Sequence, residues 1–163
     1  MKTSVFTKRS VAIAVALAAA MAPIFALSAT GTLALSGSVA PITTISVTAD
    51  PNASALPVGS AASNLKIATV VELSNSKSGY TVTLSSTNGA SLKETAGTDS
   101  LPYSLTYGGN PVTFTAGSAT LTTSGTRSAT AAGSSNVLAI SFSAAFLNAD
   151  SYTDSLTFTI TSP

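Results

Sequence analysis

The side chains able to do chemistry in this sequence are few: six carboxylates, four tyrosines, scattered cations and many hydroxyls, with no histidine and no cysteine. The missing residues rule out the Ser–His and Cys–His nucleophile systems. They also rule out zinc, copper and haem sites that depend on those ligands. No GxGxxG or P-loop pattern occurs, and Gly108-Gly109 runs into Asn110-Pro111, a turn rather than the start of a helix. Asp150 and Asp154 lie near Asn148, and Asp50 lies near Asn52. A calcium site would need six or more oxygens to converge. Asx residues in turns more often cap their own backbone. Six acids would permit a glycosidase pair by residue type, yet nothing in their pattern suggests a pocket. Tyr80, Tyr103, Tyr107 and Tyr152 could stack on a sugar if exposed together. They fall in phase with Leu and Val, which places them in the core or at its edge. The expectation is therefore a non-catalytic protein without cofactor or metal.

The N-terminus carries an export signal. Lys2, Lys8 and Arg9 form a basic start, and Val11 to Ala20 is an unbroken apolar run of ten residues. Pro23 breaks any helix, and small residues follow up to Ala29. The leader is expected to span residues 1–29, with a cut after Ala26 as the rival. A membrane anchor would need about 20 apolar residues. The expected product is exported, periplasmic in transit and then extracellular or on the cell surface. It would have no membrane span once the leader is gone.

Removing residues 1–29 leaves 134 residues, with Lys66, Lys77, Lys93 and Arg127 against six acids. Four positive and six negative charges give −2, where the whole chain carries +1. No basic patch remains to neutralise phosphates, so nucleic acid is not an expected partner. Ser and Thr supply 47 of the 134 residues. Low net charge and ordered apolar residues argue against disorder, and Thr suits a pleated strand. With no cysteine, an exported fold must rest on its core and its strand pairing alone.

Period-two alternation runs through the rest of the chain. Tyr152, Asp154, Leu156, Phe158 and Ile160 share one face, with Ser and Thr on the other. Leu65, Ile67, Val71 and Leu73 read in phase. So do Tyr80, Val82 and Leu84; Leu101, Tyr103, Leu105 and Tyr107; and Leu138, Ile140 and Phe142. Asp50-Pro51-Asn52, Ser78-Gly79, Thr87-Asn88-Gly89 and the small, polar stretch 124–135 punctuate these runs. Seven or eight short strands separated by turns predict an all-β, immunoglobulin-like β-sandwich over residues 42–163.

Between leader and sandwich lies an arm, residues 30–41. Leu33, Leu35, Gly37 and Val39 occupy one face of it. Pro41, which lacks an amide donor, separates it from the run Ile42 to Thr48. The arm either continues the first strand of its own sheet or adds a strand to another molecule. In strand addition, main-chain hydrogen bonds give affinity and alternate side chains give register. Both readings stay open on pattern alone.

Four stretches, taken in order and spacing, resemble a known family. They are the arm Thr32 to Pro41, the following Ile42 to Pro57, the block Leu101-Pro102-Tyr103-Ser104-Leu105-Thr106-Tyr107-Gly108-Gly109, and the ending Ala149 to Ile160. The layout resembles fimbrial major subunits assembled by the chaperone–usher route. It is most like the Cys-less coli-surface-antigen type, with the spore-coat-U-like archaic pilins next. The resemblance implies an incomplete sandwich whose missing strand leaves a hydrophobic groove. A periplasmic chaperone would fill that groove first, and a neighbouring subunit's arm would replace it at an outer-membrane usher. By position, Leu33, Leu35, Gly37 and Val39 would be the donor residues, and Leu156, Phe158 and Ile160 would border the acceptor groove. The partners implied are identical subunits in a head-to-tail polymer. Burial of each large donor side chain would contribute roughly 1.5–3 kcal/mol, and each backbone hydrogen bond about 0.5–1.5 kcal/mol. A head-to-tail contact that does not close builds an open filament. The function so implied is structural, in a pilus or surface fibre serving adhesion or biofilm formation. The alternative is a self-contained secreted matrix or coat protein.

Overall fold

The computed structural model describes residues 28–163; the expected leader falls outside the described residues over 1–27. The chain divides into two compact units, with the boundary between Gly37 and Ser38. Residues 28–42 form neither helix nor strand.

The second unit is an antiparallel all-β sandwich of eleven strands with a single 3-10 turn. The strands are β1 (Thr43–Ala49), β2 (Ala62–Ser74), β3 (Tyr80–Ser86), β4 (Ser91–Glu94), β5 (Ser100–Pro102) and β6 (Ser104–Tyr107). They continue with β7 (Asn110–Val112), β8 (Ser118–Ser124), β9 (Ser134–Phe142), β10 (Tyr152–Thr153) and β11 (Leu156–Thr161). One sheet has the order β1-β2-β9-β6-β7. The second has β11-β3-β8, and a third, short one has β10-β4-β5. The third sheet extends the pairing of the second: Leu156 pairs with Ser86, the Thr87 amide donates to Ser155, and Tyr152 pairs with Glu94 farther along the same two segments.

The alternating side chains of these strands build one core. Val70, Leu105, Tyr107, Leu138 and Ile140 from the five-stranded sheet are buried, as are Val82, Leu84, Leu92 and Leu101 from the facing layer. The rings of Tyr107 and Phe158 meet across the layers with centroids 6.5 Å apart, within the range of attractive aromatic pairs. β6 and β7 form a hairpin in which Tyr107 pairs with Asn110. Gly108 and Gly109 take φ of 55° and 83° there. Two left-handed residues in a two-residue loop match the twist of the flanking strands, and glycine reaches that region without steric cost.

One expected face is corrected. Along β2 the pattern Leu65, Ile67, Val71, Leu73 predicts a single inward face. The pairing with β9 shifts between Lys66 and Ala68, so Ala68 stands opposite Leu138. An extra residue in a strand of period two reverses every later side chain. Val70, Glu72 and Ser74 therefore turn inward and are buried, while Val71 and Leu73 are only half-buried.

The registers define two ends of the sandwich. Thr43, Ser74, Tyr80, Ser124, Ser134 and Thr161 lie at the end where the chain enters the domain. Ala49, Ala62, Ser86, Phe142 and Leu156 lie at the far end. The entry is anchored by Asn75. Its Oδ1 accepts from the Ile42 amide at 2.7 Å, and its Nδ2 donates to the Ala40 carbonyl at 2.8 Å.

Candidate functional site

The first and last strands, β1 and β11, are edges. β1 pairs only with β2, and β11 pairs only with β3, among the described residues. Hydrogen-bond parity fixes which backbone groups each edge leaves free. The Asp50 amide donates to Ile67, and the Asn75 amide donates to Ile42. Even-numbered residues of β1 thus face β2, and Thr43, Ile45, Val47 and Ala49 turn their N–H and C=O outward. The Thr87 amide donates to Ser155. Odd-numbered residues of β11 thus face β3, and Leu156, Phe158 and Ile160 present their backbone groups to the open side.

Those same residues aim their side chains toward the core. Between the two edges lies an open cleft of about 460 Å³. Val47 and Ala49 form one wall, and Leu156 and Phe158 form the other. Ile67, Ala68, Leu138, Ile140, Leu92 and Tyr103 lie beneath it. The cleft is thus a slot through which core residues reach the surface, with a row of unpaired peptide groups on each side. An edge left in this state is a template for an added strand. Leu156, Phe158 and Ile160 are half-buried, and Val47 is 47% exposed.

Polar groups fix the strands that border the slot. At the entry end the hydroxyls of Thr43 and Ser162 lie 2.7 Å apart. At the far end Asp154 closes the step from β10 to β11. Its carboxylate accepts from the Tyr103 and Ser86 hydroxyls and from the amides of Asn88 and Ser155. Tyr103 has its pKa raised above the ordinary tyrosine value, first by burial and then by its bond to Asp154. Asp150 does comparable work in a turn. The Ala96 and Ser151 amides donate to it and hold its pKa below the usual carboxylate value. Both acids, weighed above as metal ligands, thus serve as backbone caps. Among the described residues no group of three potential metal-binding side chains converges. Tyr80, Tyr103 and Tyr107 are buried and Tyr152 is half-buried, with Tyr103 and Tyr152 bordering the cleft.

The interior holds a carboxylate that the alternation did not announce. Glu72 is 1% exposed. Its Oε1 accepts from the Tyr107 hydroxyl and, at 2.8 Å, from Thr122 Oγ1. Its Oε2 has no partner among the described residues. Tyr107 has its pKa raised by burial and by this contact. The triangle links both sheets of the sandwich, since Glu72 and Tyr107 belong to one and Thr122 to the other.

The arm residues belong to no strand. Leu33, Leu35 and Val39 are 84%, 87% and 86% exposed. A Cβ added to Gly37 would meet nothing within 4 Å. Of the residues the sequence pointed to as bordering a groove, Leu156 and Phe158 line the cleft, while Ile160 is half-buried in β11 outside its lining. Sequence reasoning missed Val47 and Ala49 as the other wall, although the alternation of Ile45 and Val47 was visible. No described helix is long and apolar enough to cross a membrane. The sequence matches no protein-family model, and no curated protein aligns with it at a significant level.

Proposed function

We propose that this chain is the structural subunit of a surface pilus or fibre, polymerising by donor-strand complementation. In this reading the sandwich is immunoglobulin-like and lacks one strand. The arm of a second copy supplies that strand, with Leu33, Leu35, Gly37 and Val39 facing the cleft. The observation that carries the reading is the slot between β1 and β11, apolar at its base and lined on both sides by unpaired backbone groups. The cleft is bordered by Val47 and Ala49 on one strand and by Leu156 and Phe158 on the other, so the alternate arm side chains nearest Pro41 would fill it. Exposed leucines and valine at alternate positions of the arm and an apolar slot in the sandwich are complementary surfaces. Before assembly a periplasmic chaperone would cover the slot, and an outer-membrane usher would exchange it for the arm. Adhesion or biofilm formation would be the role of the finished fibre.

The test is gel analysis of the exported protein, unheated against boiled, for the full chain and for a chain lacking residues 30–41. The full chain should give a ladder that collapses on boiling, and the deletion should give none. A stable monomer from the full chain would sink the proposal in favour of a self-contained secreted sandwich.

A further inference from the structure

The two ends of the sandwich carry complementary features that the arm and slot do not use. Phe146, on the segment between β9 and β10, is 106% exposed. Its neighbours Ala145 and Leu147 pack on the core, so the segment is held while this one ring is turned out. The segment is tied to the far end, because the Asn148 amide donates to Asp99 at 3.0 Å. Glu94, Asp99 and Asp150 gather there with Lys93, and the ion pair of Asp50 and Lys66, 3.7 Å apart, lies at the same end.

The entry end holds the counterpart. A cavity of about 180 Å³ is lined by Ile42, Leu73, Ala129 and Arg127, among others. That is smaller than the ~300 Å³ at which small-molecule pockets begin, and it suits a single side chain. The loop that forms it is fixed to β2: the Ser128 amide donates to the Ser74 carbonyl, and Ser128 Oγ accepts from the Ser74 amide. Lys77, in the turn after β2, and Arg127 make this end basic.

An apolar knob on an acidic end and an apolar hole on a basic end cannot meet within one molecule. From this we infer that Phe146 of one copy seats in the Ile42–Leu73–Ala129 cavity of the next, a second contact between successive subunits. The inference rests on the fibre reading above. A donor arm entering the slot from the far end would bring its own domain's entry end, where residues 40–42 join the arm to the sandwich, against Phe146. Arg127 at the cavity rim can lie over the phenylalanine face, a cation–π contact. The acidic cluster then faces Lys77 and Arg127, and the mutual attraction favours head-to-tail order over like ends meeting. A buried aromatic ring removes about 150–250 Å² from water. The contact is heterologous and does not close, so it repeats along an open filament. Its consequence is rigidity: the arm tethers subunits, and the knob fixes the angle between them.

The experiment replaces Phe146 with its photoreactive analogue p-benzoylphenylalanine in the full exported chain, then irradiates and boils the polymer. Covalent dimers and higher species should survive boiling and be lost in the companion variant Ala129→Arg, which fills the cavity. The unheated ladder should be the same in both. A normal unheated ladder without covalent species, or with covalent species indifferent to Ala129→Arg, overturns this contact and leaves the donor-strand reading standing. Absence of any ladder before irradiation overturns both.

Discussion

The hydroxyls of Thr43 and Ser162 lie 2.7 Å apart, joining the start of the first strand to the end of the chain's last one. From this point β1 and β11 part toward Ala49 and Leu156, where the cleft is lined from both sides. A strand entering the slot from its open end runs antiparallel to β11. Val39 then comes nearest Leu156, Gly37 nearest Phe158 and Leu35 nearest Ile160. The glycine would stand beside the largest side chain of the wall. The native chain has no cysteine, so Val39→Cys with Leu156→Cys should trap a disulfide-linked ladder on oxidation. Trapping of Leu33→Cys with Leu156→Cys instead would reverse the direction.

The wall and the core should respond differently to substitution. Val47 is 47% exposed, so Val47→Asp should change folding stability by no more than about 0.5 kcal/mol, the range of surface changes. It should nevertheless abolish the unheated ladder, because an unpaired charge would be buried against the donor. Leu84 is fully buried, and Leu84→Ala should cost about 2–5 kcal/mol through the cavity it leaves. Thermal melts beside gels separate the two outcomes. A Val47→Asp chain that polymerises normally would remove β1 from the site.

Asp154 gathers four donors at the step between β10 and β11. Asp154→Ala strands the Tyr103 and Ser86 hydroxyls and two amides, and should cost on the order of 3 kcal/mol. Asp154→Asn keeps one acceptor oxygen and should cost less. Denaturant titration of both variants checks the order, and equal losses would contradict it.

Glu72 presents one satisfied and one unsatisfied oxygen to the interior. Tyr107→Phe removes one of its two donors and should cost about 1–3 kcal/mol, the penalty for a buried polar group left without its partner. Glu72→Gln retains the oxygen that serves Tyr107 and Thr122 and should stay within about 1 kcal/mol of the parent. Chemical unfolding ranks them, and a larger loss from Glu72→Gln would show that the charge itself is required.

Burial raises the pKa of Tyr103 and Tyr107 above the ordinary value of 10.0. The folded state thus binds these protons more tightly than the unfolded state does. That stabilisation is complete below pH 10 and is lost as pH rises from there toward the folded-state values. The domain should lose stability steadily above pH 10, and the tyrosinate absorbance of these two residues should emerge together with unfolding. Their titration in a still-folded domain would overturn the assignment. Tyr103→Phe should remove part of the alkaline sensitivity.

Much of this architecture is written in the alternation of the chain. Thr157 and Thr159 between Leu156, Phe158 and Ile160 dictate a two-faced strand. Gly108-Gly109 dictates a tight hairpin. The lack of cysteine and histidine dictates a fold held by its core, without the chemistry those side chains supply. These follow from single residues and nearest neighbours, where φ preferences and side-chain period act. Only the tertiary structure decided that Glu72 lies in the interior and Val71 does not, because a one-residue shift against β9 is a property of two strands. Only it decided that β1 and β11, joined at Thr43 and Ser162, leave a cleft between Ala49 and Leu156. Strand edges are made of backbone N–H and C=O, which every residue carries alike, so side-chain pattern cannot say which edge finds a partner.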